Sequence, residues 1–279
     1  MNNNIGVMQG RLLPKYQGRY QAHPVGYWKK EFSIAKSYDL DCIEFILDLN
    51  DYKNNPLLLA SGVSEISEVV FNTGVDVKTI CADYYMDLPF HSDDNDIAEK
   101  SLKIFKNLIK NSSILKISDI VIPCVDQSSI KHTRQYNLFI KRLLSLIPFA
   151  EEFEVNLSIE SDLSPKEFSK LLDCFDSKRI TVNYDTGNSA SLGFDVEEEL
   201  EEYGNKISDI HIKDRLLGGG PVELGMGYTN FEKFFKKLEE FNYSGPFILQ
   251  AYRDEEGEKI FKKQYDWIKP YLESFKCAS

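Results

Sequence analysis

Residues 157–185 read LSIESDLSPKEFSKLLDCFDSKRITVNYD, and this stretch decides the fold. It begins with the apolar run LSIE and ends with a second run, ITVNY, and each has the length and composition of a buried strand. The apolar residues of the intervening PKEFSKLLDC have helical spacing, and Pro165 suits a first helical turn. A strand, a helix and a second strand in this order predict a parallel βαβ unit.

The same alternation continues along the chain. Eight segments have the strand pattern: Ile5–Met8, Cys42–Ile46, Val77–Ala82, Ile120–Val125, Leu157–Glu160, Ile180–Tyr184, Ile207–Ile212 and Phe247–Gln250. Helical spacing occurs between them, for example over Trp28–Ser37, Ala98–Leu115, Tyr136–Phe153, Pro165–Cys174 and Phe231–Phe241. Eight such units in 279 residues predict an α/β fold, a single (β/α)8 TIM barrel. No linker-like stretch divides the sequence, so residues 1–279 are expected to form one TIM-barrel domain.

An open, doubly wound sheet is the alternative, because it also alternates strands and helices. A sheet of that kind that binds a dinucleotide has a G-x-G-x-x-G turn after its first strand. Here the first strand is followed by GVMQGRLLP, which supplies only Gly6 and Gly10. The barrel is therefore favoured.

The composition limits the partners and the compartment. A formal charge of −11 argues against binding to nucleic acid, which needs a basic face. No apolar run approaches the roughly 20 residues of a membrane span, and MNNNIGVMQGRLLP does not resemble a signal peptide. We therefore expect a cytoplasmic protein without a membrane partner. The sequence has five cysteines: Cys42, Cys81, Cys124, Cys174 and Cys277. Their number is odd and they lie mostly in apolar runs, which favours buried thiols over disulfides.

Four polar residues end four consecutive predicted strands. They are Glu160, Asp185, His211 and Gln250. The carboxyl ends of parallel barrel strands meet on one face, where TIM-barrel active sites lie. Carboxylate, imidazole and amide groups bind divalent cations, so the four residues predict a metal site. For His211, a core imidazole bonded to a backbone carbonyl is the alternative, but carboxylates that end apolar strands are costly to bury without a partner.

Other polar residues near the strand ends are candidates for substrate binding: Arg11, Asp83, Asn188, Arg215 and Arg253. Lys213 lies two residues after His211 and is a candidate catalytic cation. These cations and the loop Gly218–Gly220 suit an anionic sugar, although a solvated rim would carry similar charges. His91, in PFHSDDND, is expected to be exposed. Three aromatic residues are expected to pack as lids, with stacking on a sugar ring as the alternative: Trp28, Tyr84 and Tyr85.

The motifs IESD, NYDTGN, IHIKD and ELGMG, in this order and at these distances, resemble the xylose-isomerase-like TIM-barrel superfamily of sugar and sugar-phosphate isomerases and epimerases. The ketose 3-epimerase branch is the most similar, and the resemblance covers nearly the whole chain. It implies a divalent metal, most often Mn²⁺, with Zn²⁺, Mg²⁺ or Co²⁺ as alternatives, at the four strand-end residues. It also implies that Glu160 is the base that removes a carbon-bound proton from a sugar or sugar phosphate.

One residue departs from that branch in a way that affects the chemistry. The epimerases have a second glutamate that returns the proton, and Gln250 stands at the matching position. A glutamine oxygen can bind a metal but cannot act as a base. Asp83, His91 or Glu44 could supply the missing group, or one base could suffice for aldose–ketose isomerisation. Asn188 replaces a histidine of the family near the third ligand.

The resulting expectation is a metal-dependent isomerase or epimerase of a sugar or sugar phosphate, which could also be a homo-oligomer. A lyase or dehydratase of the same superfamily and a ligand-binding barrel without catalysis are the alternatives. An endonuclease acting at abasic sites is disfavoured, because its multi-metal site needs more than the four histidines present and the chain is acidic.

Overall fold

The computed structural model describes residues 3–278, and within this range eight parallel strands close into a barrel. The barrel strands are β1 Ile5–Met8, β2 Cys42–Ile46, β3 Asp76–Cys81, β4 Asp119–Cys124, β5 Asn156–Ser161, β6 Ile180–Asp185, β7 Ile207–Ile212 and β8 Phe247–Leu249. Each strand pairs with its neighbours in sequence, and β8 closes the barrel on β1 with Phe247 opposite Ile5. The predicted (β/α)8 TIM barrel is confirmed.

Helices connect the strands and cover the outside of the barrel. The α-helices are α1 Lys29–Ser37, α2 Ala60–Thr73, α3 Tyr84–Asp87, α4 Asn95–Leu115, α5 Thr133–Leu144, α6 Ile147–Glu152, α7 Pro165–Leu172, α8 Thr186–Leu192, α9 Val196–Tyr203, α10 Phe231–Leu238 and α11 Glu258–Ala278. Short 3₁₀ turns are Tyr16–Gly18, Tyr52–Asn54, Pro56–Leu58, Asp126–Ser128, Gly204–Lys206 and Glu239–Phe241. A small antiparallel hairpin, Asp214–Arg215 with Pro221–Val222, follows β7.

One predicted helix is two helices in the structure. The segment Tyr136–Phe153 divides into α5 and α6, and Pro148 lies in the first turn of α6. Proline has no backbone N–H, and its ring clashes with the carbonyl of residue i−4, so Pro148 disfavours a continuous helix through this point. The chain therefore turns at Ser145 and Leu146 and begins a new helix, in which the missing N–H has no cost.

The barrel interior is partly polar, unlike its outer layer. The main apolar cluster joins strands to helices, whereas five other residues form a small cluster on the inward face: Met8, Cys42, Ile46, Cys81 and Ile248. Side chains alternate along a strand, so Glu44 and Asp209 share this inward face with their neighbours two residues away. Both are fully buried. TIM-barrel interiors are usually filled by branched apolar residues, so these carboxyl groups lie below the C-terminal face in an unusual position.

Several minor predictions can be compared with the structure. His91 is buried rather than exposed, with its ring against Phe90 and Phe139 and its Nε2 3.0 Å from the Ser128 carbonyl oxygen. The aromatic residues predicted as lids belong instead to the main apolar cluster: Trp28, Tyr84 and Tyr85. The free cysteines Cys42, Cys81 and Cys124 are buried and Cys174 is exposed. The side chain of Cys277 lies outside the described residues. None of the described helices has the length and apolar character needed to cross a membrane.

Candidate metal centre

Three of the four predicted ligands meet at the C-terminal end of the barrel. Glu160 lies near the end of β5, Asp185 is the last residue of β6, and His211 is the penultimate residue of β7. Asp185 and His211 are direct partners in the β6–β7 register. One side-chain ligand atom from each of the three residues lies within 4.8 Å of the others, and all three residues are buried. Neighbouring parallel strands thus bring two carboxylates and an imidazole to one point.

Gln250 follows β8 directly, and its backbone N–H donates to the Ile212 carbonyl oxygen at 3.0 Å. Its side-chain Nε2 donates to Oε1 of Gln21 at 3.1 Å. Its Oε1 is buried and has no hydrogen-bond partner among the described residues. A buried oxygen without a partner is costly, and a cation would satisfy it. The amide nitrogen of Gln250 therefore has a hydrogen-bond partner, whereas its oxygen is available to bind a cation.

Asp185 and Glu160 are adjacent carboxyl groups with opposite pKa shifts. Burial alone would raise the pKa of Asp185, but Lys213, His211 and the Asn188 backbone N–H outweigh it and lower that pKa to about 2. Burial, together with the charge of Asp185, raises the pKa of Glu160 to about 7. Asn188 also donates from Nδ2 to Glu160 Oε1 at 2.5 Å. Without a metal, Asp185 is therefore ionised near neutral pH, whereas Glu160 can exchange a proton there.

His211 lies among three acidic groups. Its Nδ1 is 3.8 Å from Asp185 Oδ2, and its Nε2 is 2.9 Å from Glu44 Oε1 and 3.5 Å from Asp209 Oδ2. The Glu44 contact has ion-pair distance without hydrogen-bond alignment. Burial lowers the pKa of His211, but Glu44 and the neighbouring carboxylates more than compensate and raise it well above its usual value. Acidic groups beside the far nitrogen of a histidine are the usual means of orienting a metal-binding ring.

The chemistry of this donor set fits a divalent cation. Two carboxylates, one imidazole and an unpartnered amide oxygen are the oxygen and nitrogen ligands that Mn²⁺, Mg²⁺ and Zn²⁺ accept. A second group of three, Glu44, Asp209 and His211, also has its ligand atoms within 4.8 Å. It lies deeper in the barrel and uses the opposite nitrogen of the same histidine.

Two of the predicted mouth cations meet beside the ligand cluster. Lys213 Nζ is 3.3 Å from Asp185 Oδ2 and 3.5 Å from Asn188 Oδ1. Arg215 donates from Nη1 to the same Asn188 oxygen at 2.8 Å and from Nε to the Gly219 carbonyl oxygen at 2.9 Å. Lys213, Asn188 and Arg215 are all partly exposed. Their predicted roles in catalysis and substrate binding stay predictions.

Arg11 and Asp83 both form hydrogen bonds with Gln21, a residue that the sequence pattern did not single out as functional. The side chain of Gln21 accepts a hydrogen bond from Arg11 Nη2 at 3.0 Å and donates one to Asp83 Oδ2 at 2.6 Å. Gln21 also accepts the hydrogen bond from Gln250. It lies in the loop after β1, away from any strand end. No pattern around QAHP distinguishes it from other polar loop residues.

The hydrogen bonds of Arg253 go to the loop after β1 and not to the ligand cluster. Its guanidinium donates to the carbonyl oxygens of Gly10, Leu13 and Arg19, the last two at 3.0 and 3.1 Å. Burial, together with the nearby Arg11, lowers the pKa of Arg253 to about 10. These contacts hold the loop after β1, and the predicted role in substrate binding stays a prediction.

Glu31 holds the same loop from the other side. This carboxylate, fully buried in α1, accepts hydrogen bonds from the backbone N–H groups of Gly10 at 2.7 Å and Leu12 at 3.0 Å. Sequence reasoning missed it, because a glutamate in the first turn of an amphipathic helix usually faces solvent.

Replacing Glu31 by glutamine is expected to change the pH dependence of stability. Burial raises the pKa of Glu31 from 4.5 to about 7, although the N–H groups of Gly10 and Leu12 oppose the shift. Since the folded pKa is the higher one, this group's contribution to stability is complete below pH 4.5 and is lost as the pH rises to about 7. The shift corresponds to about 3 kcal/mol of unfolding free energy.

Urea denaturation at both ends of that pH range checks this expectation. The wild-type free energy of unfolding should fall by about 3 kcal/mol more than that of Glu31→Gln. The variant should also be less stable at both values, because its amide nitrogen cannot accept from one of the two N–H groups. Glu68→Gln, at an exposed position of α2, is the matched control. Equal pH slopes for wild type and Glu31→Gln would contradict the account.

Comparison with known proteins identifies the family. The sequence profile described as Xylose isomerase-like TIM barrel matches residues 32–271. The chain belongs to this family. The resemblance inferred from the motifs is thereby confirmed, and the profile covers β2 to β8 together with most of α11.

Curated relatives within the xylose isomerase-like TIM barrel family are sugar-phosphate epimerases by name. SgbU of Haemophilus influenzae, provisionally named an L-ribulose-5-phosphate 3-epimerase, is 26% identical over 264 residues, which cover 88% of this chain and 92% of the relative. The L-ribulose-5-phosphate 3-epimerase UlaE of Escherichia coli O1:K1 is 25% identical over 262 residues, covering 89% and 92%.

Solved structures share the fold of the xylose isomerase-like TIM barrel over nearly their whole length. An L-ribulose 3-epimerase superposes with a TM-score of 0.73 at 18% identity, covering 99% of this chain and 96% of that one. The IOLI protein, solved with a bound zinc atom, gives a TM-score of 0.77 at 15% identity, covering 98% and 99%. At these identities the similarity establishes the barrel.

Proposed function

We propose that this protein is a divalent-metal-dependent epimerase of a ketose phosphate, with L-ribulose 5-phosphate as the first substrate to test. The observation that carries the proposal is the convergence of Glu160, Asp185 and His211 at the C-terminal end of the barrel. The names of the curated relatives supply the substrate class. Those names do not favour the lyase or the ligand-binding barrel.

The metal would be held by Glu160, Asp185, His211 and the side-chain oxygen of Gln250. When bound, a divalent cation stabilises negative charge that develops on substrate oxygens during proton removal. Mn²⁺ is our first choice, with Zn²⁺, Mg²⁺ and Co²⁺ as the other cations to compare.

Glu160 is the residue that would remove the proton bonded to carbon. In the absence of metal, burial and the charge of Asp185 raise the pKa of its carboxyl group to about 7, and a bound cation would favour the ionised form that accepts the proton. The hydrogen bond from Asn188 fixes one of its oxygens. Lys213 keeps the neighbouring Asp185 ionised, which prevents that carboxyl group from competing for the proton.

The cations at the mouth support an anionic substrate. Lys213 and Arg215 are partly exposed and lie next to Asn188, beside the ligand cluster. The glycine-rich turn of the hairpin brings the Gly219 backbone against Arg215. A phosphate group near the loops after the seventh and eighth strands is common in TIM barrels. Arg215 and Lys213 are therefore proposed to contact the substrate phosphate or hydroxyl groups.

The test is proton exchange and inversion in D₂O, followed by NMR. Protein loaded with Mn²⁺ is incubated with L-ribulose 5-phosphate, D-ribulose 5-phosphate and the two unphosphorylated sugars. We expect loss of the C3 proton signal and appearance of the C3 epimer for a phosphorylated substrate. Chelation should stop the reaction and added Mn²⁺ should restore it. A fully metal-loaded protein that exchanges no carbon-bound proton in any of these sugars would refute the proposal.

A further inference from the structure

Gln250 leaves the site without a second ionisable group at the end of β8. Its amide nitrogen is instead bonded to Gln21, and the same Gln21 side chain donates to the carboxylate of Asp83. One side chain thus connects position 250 with an acidic residue that follows β3. The carboxyl group missing at position 250 has a counterpart one hydrogen-bonded residue away.

Asp83 differs from the other acidic groups near the site in its accessibility. It is partly exposed, whereas Glu44 and Asp209 are fully buried below the ligand cluster. Its Oδ2 accepts from Gln21 at 2.6 Å and its Oδ1 accepts from the Cys81 thiol at 3.2 Å. Two donors therefore fix the carboxyl group at the mouth.

The charges of Asp83 and of the ligand cluster also influence each other. Its charge is among the effects that raise the pKa of Glu160, and His211 in turn opposes a rise in the pKa of Asp83. Burial nevertheless raises the pKa of Asp83, so its protonated form is more accessible than that of an ordinary aspartate. In the barrel order the strands of Glu160 and Asp83, β5 and β3, are separated by β4.

The other candidates for a second acid or base, His91 and Glu44, do not combine partial exposure with a position near Gln250. His91 is buried, and its Nε2 is bonded to the Ser128 carbonyl oxygen. Glu44 is fully buried against His211, with its second oxygen accepting from Thr79 at 2.7 Å. Neither reaches the mouth.

We propose that Asp83 is the second proton-transfer group of this site, in place of the glutamate that the family resemblance implies at the position of Gln250. The inference rests on the proposed function. Glu160 accepts the proton from C3, the C–H bond breaks, and its electron pair remains in the substrate as an enediolate. Protonated Asp83 donates its proton to the opposite face of C3, where that electron pair forms the new C–H bond. Glu160 then loses its proton to water and Asp83 gains one, which restores the starting state.

The decisive variant is Asp83→Asn, studied with Mn²⁺ and the phosphorylated substrate in D₂O. Inversion at C3 should fall by at least about 100-fold, the lower range for loss of a general acid or base. Deuterium should still enter C3 without inversion, because Glu160 can remove and return a proton on its own face. A residue with a merely structural role would not separate these two rates. The metal content, measured by plasma mass spectrometry, should equal that of wild type.

The control variant is Asp87→Asn, which removes an exposed carboxylate from the short helix α3 that follows Asp83. It should leave inversion, exchange and metal content unchanged. A third protein, Asp83→Asn with Gln250→Glu, returns a carboxyl group to the end of β8. Inversion should recover at least about 10-fold over Asp83→Asn alone, an amount within the range of acid–base catalysis.

Each contrary result has a distinct meaning. Inversion within about 10-fold of wild type in Asp83→Asn would overturn the proposal, since a general acid contributes more. Equal loss of exchange and inversion, or loss of the metal, would show that Asp83 supports the site structurally and would also overturn it. No recovery in the metal-bound double variant would overturn the equivalence of positions 83 and 250. Wild-type protein without exchange or inversion would instead refute the proposed function.

Discussion

Substitution of His211 by alanine is expected to remove the bound metal and to lower the epimerisation rate by at least about 1000-fold. The imidazole is the only nitrogen ligand in the set of four, and its Nδ1 faces Asp185. Its removal also leaves the buried carboxyl groups of Glu44 and Asp209 without the imidazole Nε2, which lies 2.9 and 3.5 Å from them. Removing one partner from a buried charged group costs about 3–5 kcal/mol of stability.

Plasma mass spectrometry of protein purified without chelator measures the metal, and thermal denaturation measures the stability. His132→Ala is the matched control, because His132 is exposed at the start of α5. It should retain the metal and the wild-type melting temperature. A folded His211→Ala protein with a full complement of metal would contradict the ligand assignment.

Replacement of Glu160 by glutamine should separate metal binding from catalysis. The amide oxygen can still bind a cation and can still accept the hydrogen bond from Asn188. It cannot accept a carbon-bound proton, so both exchange at C3 and inversion should fall by about 1000-fold. This pattern differs from that expected for Asp83→Asn, in which exchange continues.

The measurements are deuterium incorporation at C3 and the metal content after dialysis against increasing chelator. We expect the metal to remain bound but to dissociate at lower chelator concentration, because the ligand set has lost one negative charge. Glu152→Gln, at the exposed end of α6, is the control. Exchange at the wild-type rate in Glu160→Gln would assign proton removal to another residue.

The parts of the structure that follow from local pattern were predicted from the sequence. The strands have alternating or continuous apolar residues, and eight of them alternating with helices in a chain of this length predict the barrel. Glu160, Asp185 and His211 could be placed together because neighbouring parallel strands end on the same face. This argument needs no knowledge of side-chain conformation.

Contacts made by loops and across the barrel could not be predicted in the same way. Gln21 bonds to groups that the closed barrel brings near it, Glu31 bonds to backbone groups of the loop after β1, and no local spacing marks either residue. His91 was expected to be exposed because its neighbours in sequence are polar, yet its ring packs against Phe139 from a different helix. Arg253 follows a strand end, but that position does not show that its guanidinium turns to backbone carbonyls.

The loop after β1 depends on residues from the far end of the polypeptide. Gln21 is bonded to Gln250 across 229 positions, and Arg253 is bonded to Leu13 and Gly10 across 240 and 243 positions. Contacts this distant in sequence form late, since a long loop must close before they are made. A nascent chain that has emerged from the ribosome as far as β7 therefore carries Glu160, Asp185 and His211 without an ordered entrance above them. Only synthesis of the eighth strand and of Arg253 after it completes the entrance, so activity should begin only once these residues have emerged.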